Sequence, residues 1–162
     1  MGIEQDFKHA LASWASGVAV VTTNSSGLLY GLTVSSFSAL SLDPPLILVC
    51  LGHANRMAPM IEASGGFAVS LLDTTQQSAA QYFARTGRLP TADFVEIEGQ
   101  WTAGGQPVVA GALAWLTCTL HRAIEEGDHT IVIGRVIEAS ARAEASPLLY
   151  WRRGSRELAD GS

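Results

Sequence analysis

The chain has 162 residues, 48% of them hydrophobic, which suits one domain with a buried core. Only 15% of the residues are charged, so we expect part of the apolar surface to be covered by a second subunit. Ten basic residues against fifteen acidic ones exclude nucleic acid as a partner, and no apolar run approaches the roughly twenty residues that span a membrane.

The N-terminal segment and the two cysteines indicate a cytoplasmic protein. Residues 1–17 lack the basic region, the apolar stretch and the cleavage site of a secretory signal. Cys50 and Cys118 each lie within an apolar run and show no CxxC spacing, which favours reduced thiols over a disulfide or a zinc site. The four histidines have no metal-ligand spacing, so we predict no metal.

The first third of the chain predicts a helix, a hairpin and a buried strand. Apolar residues at helical spacing predict an amphipathic helix over residues 6–16, with Gly17 as its C-terminal cap. Residues 18–33 contain two strand-like runs around a turn cluster at 24–27, which is typical of a hairpin. The apolar run 46–51 follows two prolines and predicts a strand, apolar enough to allow burial on both faces.

The middle of the chain alternates between helix and strand signals and then loses its periodicity. Residues 55–63 predict a short helix capped by an asparagine, and residues 67–72 predict a strand. A second short helix is predicted to run to about Arg85, with Thr74 or Thr75 as its cap. Residues 86–106 mix glycine, proline and charge, so we expect a long surface excursion there.

The last third predicts an antiparallel hairpin and one more strand. Two long β-rich runs, 112–122 and 129–142, flank an acidic turn at 125–128, and residues 148–151 form a final strand. Six or seven strands with only three short helices show no regular βα alternation. We therefore predict a single domain over residues 1–162, mostly β, whose antiparallel barrel carries peripheral helices.

Several catalytic motifs do not occur in this sequence, and their absence narrows the chemistry. There is no GxGxxG after a strand, no GxxxxGK, no HExxH and no GxSxG. A classical dinucleotide fold, a P-loop and a serine hydrolase are therefore disfavoured.

Two polar strings stand between apolar runs and indicate a small-molecule site. Residues 31–50 read GLTVSSFSALSLDPPLILVC, where hydroxyls and a glycine offer hydrogen-bonding groups and close backbone approach to a flat ligand. Gly127, Asp128 and His129 place a titratable imidazole at the mouth of a strand. On their own, the hydroxyls could equally face solvent from a strand, and the histidine could be an ordinary satisfied polar group.

The order of five strings resembles the flavin reductase family. These strings are ASG before VAVVTT, then GLTVSSFSALSLDPPLILVC, GALAWLTCTL, GDHTIVIGRV and PLLYW, and the likeness runs from about Phe7 to Arg153. The resemblance implies the FMN-binding split β-barrel, antiparallel and Greek-key-like, with a core of about 7–153. It also implies an NAD(P)H-dependent reductase that supplies reduced flavin to a separate monooxygenase.

The resemblance implies which residues line the flavin and nucleotide sites. The hydroxyl-rich segment would lie along the flavin, and Arg56 would meet the flavin phosphate at the start of a helix. His129 would hold the nicotinamide over the flavin as a positioning group. The complete set is Tyr30, Gly31, Thr33, Ser35, Ser36, Cys50, Leu51, Gly52, Arg56, Phe83, Arg85, His129, Tyr150 and Arg152.

Some alternatives stay open at this point. Arg56 could be a solvated helix residue, while Phe83 and Arg85 could be a core aromatic and a surface cation. The resemblance allows FMN or FAD, and NADH or NADPH, and leaves the flavin either bound or released after reduction. A homodimer is expected. A flavin carrier without turnover is the competing function, and an oxidase of the pyridoxamine phosphate type is disfavoured because cations are few.

Overall fold

The computed structural model describes residues 2–159. Its helices are α1 (Ile3–Ala12), α2 (Met57–Ser64) and α3 (Gln77–Ala84), with a 3-10 turn at Thr74–Gln76. The strands are β1 (Ser16–Gly17), β2 (Ala19–Ser25), β3 (Leu28–Val34), β4 (Ser38–Leu42), β5 (Pro45–Gly52), β6 (Gly66–Leu71), β7 (Gly99–Trp101), β8 (Pro107–Val109), β9 (Ala114–Glu126), β10 (His129–Ala141), β11 (Leu149–Trp151) and β12 (Gly154–Arg156). No helix within this described range is long and apolar enough to cross a membrane.

A seven-stranded antiparallel sheet forms the body of the molecule, in the order β3-β2-β6-β9-β10-β5-β4. The sheet curls, because Val34 of β3 and Ile47 of β5 share one core although their strands lie near opposite ends of that order. Helix α2 contributes Met57 and Ile61 to the same core. This arrangement confirms the prediction of a mostly antiparallel barrel with peripheral helices.

Strand β2 is buried on both faces and joins two cores. Val21 faces the barrel interior, whereas Val20 faces a second core beneath α3, and neither has any exposed surface. Alternate residues of a strand point to opposite faces, so a β-branched run without polar alternation fits this position. On the outer core, Phe83 of α3 and Phe94 of the following loop pack edge to face, with ring centroids 5.2 Å apart.

The two predicted hairpins are confirmed. Strands β2 and β3 pair from Ala19↔Val34 to Ser25↔Leu28, and β9 and β10 pair along most of their length. Five strands were not predicted, and four of them have only two or three residues, too few to carry a periodic signal. These strands are β1, β4, β7, β8 and β12. The expected excursion at residues 86–106 thus contains a strand of the small β7–β8 sheet.

The first helix differs from its prediction in both position and environment. It spans Ile3–Ala12 rather than 6–16, its C-cap is Ser13, and Gly17 lies in β1. None of its residues is buried, and the apolar side chains Phe7 and Leu11 are 58% and 55% exposed. The predicted helical periodicity is confirmed, but the apolar face of the helix is not buried by any part of residues 2–159.

Asn55 and Asp73 accept backbone hydrogen bonds just ahead of the other two helices. The Asn55 side chain accepts a hydrogen bond from the Met57 N–H at 2.9 Å. Before α3, the carboxylate of Asp73 accepts from the Thr75 N–H, so neither predicted threonine is the cap. Asp73 also accepts a hydrogen bond from Arg142, which fastens the end of β10 and the following loop to this turn.

Replacing Asp73 with alanine is expected to lower the free energy of unfolding by roughly 1–2 kcal/mol at neutral pH, because a cap and an ion pair are lost. Burial alone would raise the pKa of Asp73, but the hydrogen bonds from Thr75 and Arg142 outweigh it and hold this pKa below the ordinary value. The stabilisation is therefore present above the unfolded pKa of about 3.9 and is lost as the pH falls through the folded pKa.

Urea unfolding of wild type and Asp73→Ala between neutral and acidic pH measures this effect. The gap between the two proteins should close below about pH 4. The exposed Glu62→Ala variant, which removes a carboxylate from α2 without a cap, is the control. A gap that stays constant with pH would contradict the assignment.

Candidate functional site

The predicted imidazole lies across the sheet from the end of β5. In the β5–β10 ladder, His129 is paired with Gly52. A Cβ atom added at Gly52 would be 3.6 Å from Nε2 of His129, so the ring lies over the glycine. The His129 side chain is 49% exposed, and a ligand can therefore reach it.

Asp128 determines which ring nitrogen of His129 carries the proton. Its Oδ1 atom is 2.6 Å from Nδ1 of His129. An ionised carboxylate only accepts hydrogen bonds, so Nδ1 is the donor and Nε2 of the neutral ring is an acceptor directed to the Gly52 side. The same hydrogen bond lowers the pKa of Asp128, which keeps the carboxylate ionised.

The hydroxyl-rich segment is attached to the same strand. Ser36 Oγ donates to the Cys50 carbonyl at 2.8 Å and accepts from the Cys50 N–H at 3.1 Å. Cys50 and Gly52 are two residues apart and share the outer face of β5, since Leu51 between them is fully buried in the core. Ser36, Cys50, Gly52 and His129 are therefore brought together along one strand end.

Two adjoining cavities extend from this segment. The first, which we call the basic cavity, has a volume of about 430 Å³ and is lined by residues that include Lys8, Trp14, Ser35, Tyr150, Arg152 and Arg153. The second has a volume of about 270 Å³ and is lined in part by Thr33 and Ala84. Ser35 and Tyr150 line both cavities, so the two form one groove.

The three predicted hydroxyls differ in what they can offer a ligand. Thr33 Oγ1 donates to the Ala80 carbonyl at 2.6 Å, and the Ser36 hydroxyl is engaged with Cys50. Ser35 is exposed and makes no side-chain hydrogen bond within residues 2–159. Among these three residues, Ser35 is thus the one whose hydroxyl can both donate a hydrogen bond to a ligand and accept one from it.

Several residues of the predicted set have buried side chains. Tyr30 and Leu51 belong to the barrel core, and Phe83 belongs to the core beneath α3. Gly31 is close to Phe83 rather than to open space, since an added Cβ would lie 2.3 Å from the ring atom Cε1. These four residues therefore contribute mainly to packing at the walls of the site.

The predicted cations lie at different places. Arg56 is exposed at the N-cap of α2, next to Asn55. Arg85 forms a two-pronged ion pair with Glu96, at 2.9 and 3.0 Å, which ties α3 to the following loop. Arg152 lines the basic cavity with Tyr150.

Sequence reasoning missed three further cations. Lys8 and Arg153 line the basic cavity. Arg88 donates to the Gly31 carbonyl at 2.8 Å and stacks over the Tyr82 ring at 4.4 Å, so it closes the wall behind β3. Only Arg153 carried a sequence signal, since it follows Arg152 directly in a chain with few cations.

The thiols agree with their predicted structural role. Both cysteines are free, and burial raises the pKa of Cys118 to about 12. A thiol with such a pKa stays protonated and unreactive at neutral pH. Cys50 is half-buried and contributes its backbone to the Ser36 contact.

Comparison with known proteins decides which family has this site. Residues 11–159 match the flavin reductase like domain. The chain belongs to this flavin reductase family. It is 39% identical to the reductase component of a 4-hydroxyphenylacetate 3-monooxygenase from Thermus thermophilus, over 96% of this chain and 97% of that protein. It is 40% identical to an NADH-dependent FAD reductase from Streptomyces globisporus, over 88% and 79% of the two chains.

A solved structure of the family is also similar. The Streptomyces globisporus NADH:FAD oxidoreductase in complex with NAD and FAD fragments superimposes with a TM-score of 0.90 at 34% identity. The alignment covers 98% of this chain and 94% of that one. This likeness confirms the predicted fold class, the FMN-binding split β-barrel, for this flavin reductase.

The described residues fit a flavin and a nicotinamide on chemical grounds. Ser35 offers a hydroxyl beside the groove, and Arg56 and Arg152 offer guanidinium groups to phosphates. The acceptor Nε2 of His129 suits an amide N–H. No cluster of three or more metal-ligating side chains occurs among residues 2–159.

Proposed function

We propose that this protein is an NAD(P)H-dependent flavin reductase whose reaction takes place beside the end of β5. The observation that carries the proposal is the common attachment of Ser36 and His129 to that strand, through Cys50 and Gly52. The comparisons support the same activity, because relatives are named as NADH-dependent FAD reductase and as a monooxygenase reductase component.

The protein contributes geometry to this reaction. The bound nicotinamide and flavin supply the redox chemistry, hydride donation and acceptance, so no side chain needs to act as acid or base. Ser35 would hydrogen-bond the flavin edge, and His129 would accept a hydrogen bond from the nicotinamide carboxamide. Asp128 keeps the ring of His129 in the accepting tautomer. Positioning of this kind accelerates a reaction by holding the reacting atoms in contact.

The flavin is FMN or FAD, and the donor is NADH or NADPH, since the contacts proposed for Ser35, Arg56 and His129 involve parts that these pairs share. Reduced flavin would pass to an oxygenase component, as the name of the Thermus thermophilus relative implies for that protein.

Turnover distinguishes the reductase from a flavin carrier. Purified protein is mixed with NADH or NADPH and with FMN or FAD in air, and the nicotinamide absorbance is followed. We expect continuous oxidation of the nicotinamide with at least one combination of nicotinamide and flavin. Binding of flavin without consumption of either nicotinamide would support the carrier instead.

The substitution Arg56→Ala is expected to weaken the binding of FMN about tenfold and to leave the binding of riboflavin unchanged. The guanidinium at the N-cap of α2 would contact the flavin phosphate, and riboflavin has no phosphate. Flavin fluorescence titration measures both dissociation constants. Equal losses for the two ligands would reject a phosphate contact at Arg56.

We also propose a homodimer in which α1 packs on the partner protomer. Ile3 and Phe7 are 85% and 58% exposed, and an isolated ten-residue helix with no buried side chain is marginal in water. The outer face of β5 and β10 adds half-buried Leu48 and Ile133. A second copy offers the same apolar patches and so covers both.

Phe7→Asp is therefore expected to shift the protein from dimer to monomer in sedimentation velocity. The variant places a charge at the centre of the apolar face, and burying an unpaired carboxylate is costly. Gln5→Asp, on the opposite side of α1, should leave the dimer intact. A wild-type protein that sediments as a monomer would contradict the proposal.

A further inference from the structure

The turn between β11 and β12 holds two arginines in an unfavourable backbone conformation. Trp151 pairs with Gly154, so the loop between them has two residues, Arg152 and Arg153. Their φ angles are 47° and 61°, both in the left-handed region. Two-residue hairpin loops of this type strongly favour asparagine and glycine, because a Cβ atom makes positive φ costly.

Two other tight hairpins place small residues at positive φ. The β2–β3 turn has Ser26 and Gly27, with φ of 53° and 84°, and the β9–β10 turn has Gly127 at 59°. Within residues 2–159, Arg152 and Arg153 are the only long side chains at positive φ. Backbone strain of this kind clusters at active sites and ligand-binding sites.

Both arginines line a cavity that has an excess of positive charge. They line the basic cavity together with Lys8, and no aspartate or glutamate lines it. Lys8 is paired with the exposed Glu4 on α1, so the two arginines supply the uncompensated charge. The whole chain has a formal net charge of −5, which makes this concentration of cations unusual within it.

The surrounding contacts hold the turn at that cavity. The Arg152 N–H donates to the Ala12 carbonyl at 3.1 Å, and the Trp151 indole donates to the Ser13 carbonyl at 3.2 Å. The guanidinium of Arg152 lies over the Trp151 ring at 4.4 Å. Arg152 is therefore partly fixed by stacking, and Arg153 is the cation whose side chain has no partner among the described residues.

We propose that Arg153, with Arg152, binds a phosphate of the adenylate half of a dinucleotide, either FAD or NAD(P)H. This inference rests on the proposed function, because Ser35, the proposed contact of the flavin, lines the basic cavity. It adds a second phosphate site to the one at Arg56. Guanidinium groups suit this task because they bind phosphate oxygens through paired hydrogen bonds.

The variant Arg153→Gly tests this role and separates it from folding. Glycine adopts positive φ without cost, so the thermal midpoint should rise by a few degrees. The KM of the dinucleotide bound there should rise about tenfold. Arg153→Lys keeps the charge and should recover part of the affinity, whereas Arg156→Ala, which removes a cation outside the cavity, should leave every KM unchanged.

The choice of substrates distinguishes the two sources of phosphate. A higher KM for FAD, with FMN and riboflavin unchanged, would assign the site to the flavin dinucleotide. A higher KM for NADH and NADPH, with riboflavin as acceptor, would assign it to the nicotinamide dinucleotide. Unchanged KM values for all of them, or equal losses for FAD and riboflavin, would overturn the proposal.

Binding measurements keep this test separate from the proposed function. Fluorescence titration with FAD and riboflavin reports the phosphate contact even in the absence of turnover. If wild-type protein reduces no flavin but Arg153→Gly still weakens FAD and spares riboflavin, the reductase is wrong and the phosphate site stands.

Discussion

His129→Ala is expected to raise the KM for the nicotinamide substrate on the order of tenfold while the dissociation constant of the flavin stays unchanged. The ring lies over Gly52 and presents an acceptor at Nε2, because the Nδ1–H group donates its hydrogen bond to Asp128. Removing that acceptor leaves the carboxamide without its partner. Steady-state kinetics at saturating flavin give the KM, and fluorescence titration gives the flavin constant.

The control for this variant is His121→Ala. His121 is exposed on β9 and lies outside the strand end where Ser36 and His129 meet. It should behave as wild type in both measurements. A nicotinamide KM that is the same for His129→Ala and His121→Ala would remove His129 from the site.

Gly31→Ala is expected to destabilise the fold by about 3 kcal/mol, at the upper end of the usual cost of overpacking. The added methyl group would overlap the Phe83 ring, which is fully buried. That ring is held edge to face by Tyr82 and Phe94, with centroids 4.9 and 5.2 Å away, so it cannot move aside cheaply. The thermal midpoint should fall by roughly 6–12 °C.

Gly17→Ala is the matched control for Gly31→Ala. An added Cβ at Gly17 meets no atom within 4 Å, and the residue is exposed. Its stability should stay within about 0.5 kcal/mol of wild type. If Gly31→Ala were as stable as Gly17→Ala and lost only flavin affinity, the glycine would serve the ligand instead of the packing against Phe83.

The parts of the fold that were predicted are those with local signals. The hairpin of β2 and β3 follows from β-branched runs around Ser26 and Gly27, and Gly65 ends α2 in the left-handed conformation expected of a C-cap. The split barrel was predicted from the order of the family's motifs. Periodicity alone is compatible with several antiparallel folds.

The parts that were missed depend on contacts between distant segments. Position 31 requires glycine because the ring of Phe83, far along the chain, packs against it. The hydroxyl of Ser36 is hydrogen-bonded to the backbone of Cys50 on strand β5. Strand β1 has two residues and exists because it pairs with β11. The end of α1 at Ala12 was misplaced because helical spacing continues to Trp14. None of these contacts leaves a periodic trace in the sequence.

The most direct test of the proposed site is the structure of the protein with FAD and a nicotinamide dinucleotide that cannot donate hydride. We expect the two rings stacked about 3–3.5 Å apart beside Ser35, with the carboxamide hydrogen-bonded to Nε2 of His129. Rings bound at another surface, or stacked out of reach of both Ser35 and His129, would contradict the proposal.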